Sequence, residues 1–168
     1  NSVVAYRKSL EVSPDDAVTL QMLALIFHQN GENQKAEQTF KLALTKDPND
    51  WILWVNYGNL LWNQKKRSKA AEAYEKSIDI NPHYSLGQFN MGNVYYGKGD
   101  YKKARYHYEQ AVELDPSEAL AHFYLARAYL KLQLGEKALA SVEKAVVLDP
   151  SHESARMMRL DLRQIFGR

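Results

Sequence analysis

The five prolines of this chain, Pro14, Pro48, Pro82, Pro116 and Pro150, each lie 34 residues from the next. A helix does not run through proline, because the ring removes an amide donor and clashes with the preceding turn. A break at one fixed interval divides the chain into equal segments, and equal segments mean a repeat architecture. The segments also match in kind. Laying 51–84 over 85–118 puts Asn56 on Asn90, Gly58 on Gly92, Asn59 on Asn93, Ala70 on Ala104 and Tyr74 on Tyr108.

Within a segment, apolar residues recur at three- and four-residue spacing in two runs, which predicts two helices joined by a polar turn. In 85–118 the first run is Leu86, Phe89, Met91, Val94 and Tyr95, and it stops at Gly97-Lys98-Gly99-Asp100. Glycine accepts the left-handed conformation that ends a helix. The second run, Tyr101, Ala104, Tyr108, Ala111, Val112 and Leu114, ends at Asp115-Pro116. No segment alternates with period two for long enough to predict a strand.

Small residues explain why such hairpins stack. Ala24, Gly58, Gly92 and Ala126 lie midway along the first helices, and Ala36, Ala70, Ala104 and Ala138 near the start of the second. They let helix axes approach, while large neighbours such as Trp54, Phe40, Tyr74 and Tyr108 fill the space on either side. One hairpin leaves an apolar face in water, and the next covers it.

These residues resemble the tetratricopeptide pattern, W-x2-L-G-x2-Y, then A-x3-F, then P. The second segment carries Trp54, Tyr57, Gly58, Leu61, Ala70, Tyr74 and Pro82; the third carries Gln88, Met91, Gly92, Tyr95, Ala104, Tyr108 and Pro116. The first and fourth depart further, with Leu20 and His122 at the tryptophan position and Val142 at the phenylalanine position. The resemblance covers about nine tenths of the chain. It implies an all-α fold: a right-handed superhelical stack of antiparallel helix hairpins, one array over 1–168. The expected parts are full repeats at 17–50, 51–84, 85–118 and 119–152, with half-repeats at both ends.

Residues 1–16 fit the second helix of a truncated repeat, with Tyr6 at the aromatic position; a chain continuing on the N-terminal side is expected. Residues 153–168 fit a first helix, with Arg156, Arg159 and Arg163 where a following helix would pack, and read as a solvating cap.

Signs of chemistry are sparse. Hydrophobic content of 45%, charged content of 25% and a net charge of +2 are globular values, and the charge is too small to argue for nucleic acid. Without cysteine there are no disulfides, thiolate metal sites or Cys nucleophile. No signal peptide is visible; the reading leans to the cytoplasm and leaves an exported or lumenal compartment open. His28, His83, His107, His122 and His152 show no metal-ligand spacing. Asp47, Asp115 and Asp149 precede proline, which is turn chemistry. No catalytic residue, metal or cofactor is assigned, and the expected protein is not an enzyme.

What remains is the surface of the stack. The resemblance implies that first helices line a concave face, with positions two, five, six and nine of each repeat pointing into it. These are Val18, Gln21, Met22 and Leu25 in the first repeat, and Ile52, Val55, Asn56 and Asn59 in the second. The third gives Leu86, Phe89, Asn90 and Asn93, and the fourth Leu120, Phe123, Tyr124 and Arg127. Spacing alone puts each set on one helical stripe.

The expected function is a groove for a peptide or protein segment, with Asn56 and Asn90 gripping main-chain amides and Val55, Phe89 and Phe123 burying ligand side chains. An alternative for the same residues is that asparagines and aromatics there simply stack hairpins well. A carboxylate clamp of the chaperone-tail type is set aside because its cations are missing; Arg127 alone is placed to meet a carboxylate. A basic row, Lys35, Lys69, Lys103 and Lys137, follows the turn edge, diluted by Glu32, Asp100 and Glu136. It reads as a solvated edge rather than a nucleic-acid or membrane surface. Two rival functions stay open: the regulatory or substrate-recruiting repeat domain of a larger enzyme or secretion component, and self-association.

Overall fold

The computed structural model describes residues 16–167; the expected half-repeat at 1–16 therefore lies, but for its last residue, outside the described residues. The helices are α1 (Ala17–Gln29), α2 (Asn33–Lys46), α3 (Trp51–Asn63), α4 (Arg67–Ile80), α5 (Ser85–Gly97), α6 (Tyr101–Leu114), α7 (Ala119–Lys131), α8 (Gly135–Leu148) and α9 (Glu153–Phe166). No strand occurs among the described residues. Odd-numbered helices begin at 17, 51, 85, 119 and 153 and even-numbered ones at 33, 67, 101 and 135, all in the 34-residue register.

Local chemistry sets these boundaries. Asp16, Asp50 and Glu118 accept from amides of the first turns of α1, α3 and α7, and Asp100 caps α6 in the same way. The turn inside every hairpin places one residue at positive φ: Gly31 and Gly99 at 78°, Lys65 and Gln133 at 61°. The Asp-Pro corners behave as expected. Asp115 and Asp149 each accept from the Ser two positions on, at 3.0 and 2.9 Å to its amide. Those bonds, the hydroxyl first, hold both carboxyls below the usual carboxylate range.

The chain forms two compact units, Asn1–Pro82 and His83–Arg168. In the first, α1 packs on α2, α2 on α3 and α3 on α4. Ala24, Ala36, Phe40, Leu53, Leu61, Ala70 and Tyr74 form its buried interior. A Cβ on Gly58 would lie 2.5 Å from the Tyr74 ring, so only glycine lets α3 and α4 meet with that ring between them. Glu37 of α2 reaches across to Lys66 at the start of α4 and to Lys41 on its own helix. The Lys66 bond, with Lys41 adding to it, holds the Glu37 carboxyl below its ordinary range despite partial burial.

In the second unit α5 pairs with α6, α6 packs on α7, α7 pairs with α8, and α9 closes against α8. Gly92 and the Tyr108 ring repeat the Gly58 contact. Tyr129 of α7 donates to Glu109 of α6 at 2.7 Å; burial chiefly, and then this carboxylate, push its hydroxyl up to about 12. The α9 helix carries exposed arginines, Arg156 and Arg163. Arg163 stays solvent-exposed and donates from Nε (2.8 Å) and Nη2 (2.6 Å) to Glu143 on α8. Met157, Leu160 and Ile165 stand exposed on the same helix. Its buried residues are Ala155 and Leu162, and the Phe166 ring lies against Gly135 of α8.

Candidate functional site

The stripe of positions two, five, six and nine survives as a direction but not as a uniform surface. In the first unit Val18, Met22 and Ile52 are exposed, and Gln21, Leu25, Asn56 and Asn59 half-buried. Val55, expected to receive a ligand side chain, is only 1% exposed. In the second unit Leu86 (38%) and Leu120 (43%) stand exposed, with Phe89, Asn93, Tyr124 and Arg127 half-buried beside them.

Phe123, the third expected anchor, is 8% exposed. Its ring lies 4.6 Å from the imidazole of His152, the N-cap of α9, and 5.5 Å from Tyr124. Val55 and Phe123 therefore belong to the interior. Of the three expected anchors only Phe89 remains partly open. Asn90, expected to grip a main-chain amide, is likewise buried at 9%.

Two of the asparagines serve the hairpins themselves. The buried Tyr74 hydroxyl donates to Asn59 Oδ1 at 2.8 Å, and Tyr108 donates to Asn93 Oδ1 at 2.7 Å. A tyrosine without exposure needs an acceptor, and position nine supplies it one helix away. Burial pushes both hydroxyls well above the ordinary tyrosine range. The stacking role left open for the asparagines thus holds for these two.

The other hairpins lack the hydroxyl and the asparagine together. The first repeat carries Phe40 with Leu25 at position nine, and the fourth carries Val142 with Arg127. Valine offers nothing to bond, so the Arg127 guanidinium lies instead over Tyr96, Tyr124 and Phe123, at 5.0, 5.1 and 5.9 Å from the ring centroids. No ion pair among the described residues involves it.

Between α5 and α7, with α6 as floor, lies a pocket of about 240 Å³ lined by Tyr84, Ser85, Leu86, Phe89, Ala111, Glu118, Leu120 and Ala121. An apolar cavity of about 150 Å³ admits benzene, so this one is the size of a single large apolar side chain. It exists because Ala111 and Ala121 are small while Leu86, Phe89 and Leu120 wall the sides. Phe89 continues from it to Tyr124 (ring centroids 5.4 Å) and so toward Arg127. Sequence reasoning named Leu86, Phe89, Leu120, Tyr124 and Arg127 but missed the floor and Tyr96. Tyr96 lies seven positions after Phe89, so extending the stripe by one turn reaches it.

His28, His107, His122 and His152 fill structural places. His122 is buried and its Nε2 donates to the Pro116 carbonyl at 3.0 Å, as the Trp54 indole does to Pro48 at 2.8 Å. His107 stacks on Tyr95 and bonds Gln88; burial chiefly, with Lys103 nearby, lowers its basicity. His28 bridges Asn33 and Asn63. No group of three or more metal-ligating side chains occurs among the described residues, and no helix there is long and apolar enough to cross a membrane.

Family comparison agrees with this geometry. Residues 5–38 and 51–84 match models described as tetratricopeptide repeat, and 92–133 one described as TPR repeat. A stretch of 60 residues is 40% identical to the Protein CTR9 homolog of Arabidopsis thaliana, covering 36% of this chain and 6% of that protein's length. A crystal structure of MamA superposes with a TM-score of 0.76 at 22% identity, covering 90% of this chain and 89% of that one. PilF of Pseudomonas aeruginosa superposes at 0.89 and 21% identity, over 97% of this chain and 74% of that one. At these identities the two structures share the fold alone. With its repeats matched at three places and its hairpins in one register, the chain belongs to the tetratricopeptide repeat family, an all-α solenoid class of protein-interaction scaffolds.

Proposed function

We propose that the chain is a non-catalytic scaffold that holds a peptide or protein segment on the first-helix face of its second unit. One apolar ligand side chain enters the pocket between Leu86 and Leu120. That pocket carries the reading: two exposed leucines and a half-buried phenylalanine frame a space of about 240 Å³ with little polar surface. Filling it with one side chain contributes roughly 1.5–3 kcal/mol, and a few net hydrogen bonds add about 1 kcal/mol each. After the cost of association this suits affinities near micromolar.

The test uses the residues that stand open rather than those that hold the core. Leu86→Glu with Leu120→Glu should abolish binding of peptides selected from a phage-displayed random library, with the circular dichroism of the helices unchanged. Selected peptides that bind the double variant undiminished would refute the site. Self-association has one observation in its favour, the exposed Met157, Leu160 and Ile165 on α9. Light scattering over a concentration range, with Leu160→Glu as control, separates it from the groove.

A further inference from the structure

We infer that the ligand of this face carries an acidic side chain about three residues from its apolar anchor, the carboxylate resting on Arg127. The inference rests on the groove reading and adds the partner's chemistry to it.

Four observations support it. Arg127 occupies the place where two other hairpins carry an asparagine bound inward to tyrosine, and Val142 leaves it without that duty. Its guanidinium is spread over Tyr96 and Tyr124, which orients the planar fork and keeps its edge donors available to a carboxylate. No carboxylate of the described residues pairs with it. At the opposite end of the stripe, Glu118 stands at the pocket with its carboxylate accepting from the Leu120 amide at 3.1 Å. The face is thus negative at one end, apolar in the middle and positive at the other. A second acid near the anchor is repelled, and one near Arg127 is attracted.

The spacing follows from helix geometry. Arg127 lies seven positions along α7 from Leu120, or about 10 Å at 1.5 Å per residue. An extended ligand covers that distance in about three residues at roughly 3.3 Å each.

The experiment is selection from a phage-displayed library of random dodecapeptides against the full chain, against Arg127→Gln and Arg127→Glu, and against the Leu86→Glu, Leu120→Glu double variant. The expected result is enrichment of Leu, Ile, Met or Phe with Asp or Glu two to four positions away. Arg127→Gln should weaken those peptides about tenfold or more, and Arg127→Glu should exchange the acid for Lys or Arg at the same spacing. Peptides that share an apolar anchor, need the leucines and ignore both Arg127 variants overturn this inference and leave the groove reading standing. Absence of binders, or binders indifferent to the leucines, overturns both. If the leucine variant instead dissolves a dimer of the chain, the face belongs to a second copy and the acidic-peptide inference fails.

Discussion

Hairpins α5–α6 and α7–α8 have the same helix lengths, the same turn and the same register, yet they treat position nine in opposite ways. In the first, Asn93 turns inward to the Tyr108 hydroxyl. In the second, Val142 has no hydroxyl to satisfy, and Arg127 turns to the rings of the open face. A buried polar group imposes its own partner. Remove the hydroxyl and the partner position is released for another contact, as Arg127 makes with the rings.

The contrast breaks most visibly at the buried residue. Tyr108→Ala should cost about 3–5 kcal/mol, as large aromatic truncations in cores do. Val142→Ala should cost about 2 kcal/mol, from two methylenes and a small cavity. Urea midpoints of the two variants measure the difference; equal losses would mean that the tyrosine-asparagine pair is not central to its hairpin.

Alkaline pH sharpens the same contrast. The folded state raises the Tyr74 and Tyr108 hydroxyls, chiefly by burial, above the ordinary value of 10.0. Their contribution is fully present below that pH and declines as pH rises past it, because the unfolded chain ionises first. Each contributes up to about 1.4 kcal/mol of loss per pH unit. Urea melts at stepped pH should show the slope reduced in Tyr108→Phe and unchanged in Val142→Ala.

The smallest effect lies in the turns. Gly99 and Gln133 occupy one left-handed position in the two hairpins, where a side chain is strained. Gln133→Gly should stabilise by about 0.5–1 kcal/mol and Gly99→Gln should cost a similar amount. Thermal midpoints moving the other way would refute this account of the turns.

Much of the fold was legible because its determinants are local. Proline, the glycine-bearing turns and the acidic caps act within a few residues of themselves, and they repeat; every helix start falls in the interval that Pro14 to Pro150 announce. The candidate site was legible only in part. Spacing told which side of each helix Val55, Asn90 and Phe123 occupy, but not what lies opposite. The structure buries all three.

The amino-acid order alone determined the hairpins, their register and the stripe each first helix presents, because backbone punctuation and helical period are properties of neighbouring residues. Tertiary structure alone decided which stripe residues remain open: Leu86, Phe89 and Leu120 around a pocket, Arg127 over its rings, Val55 and Phe123 covered. Burial depends on what another helix places against a side chain, as the His152 ring lies against Phe123 from 29 positions further on.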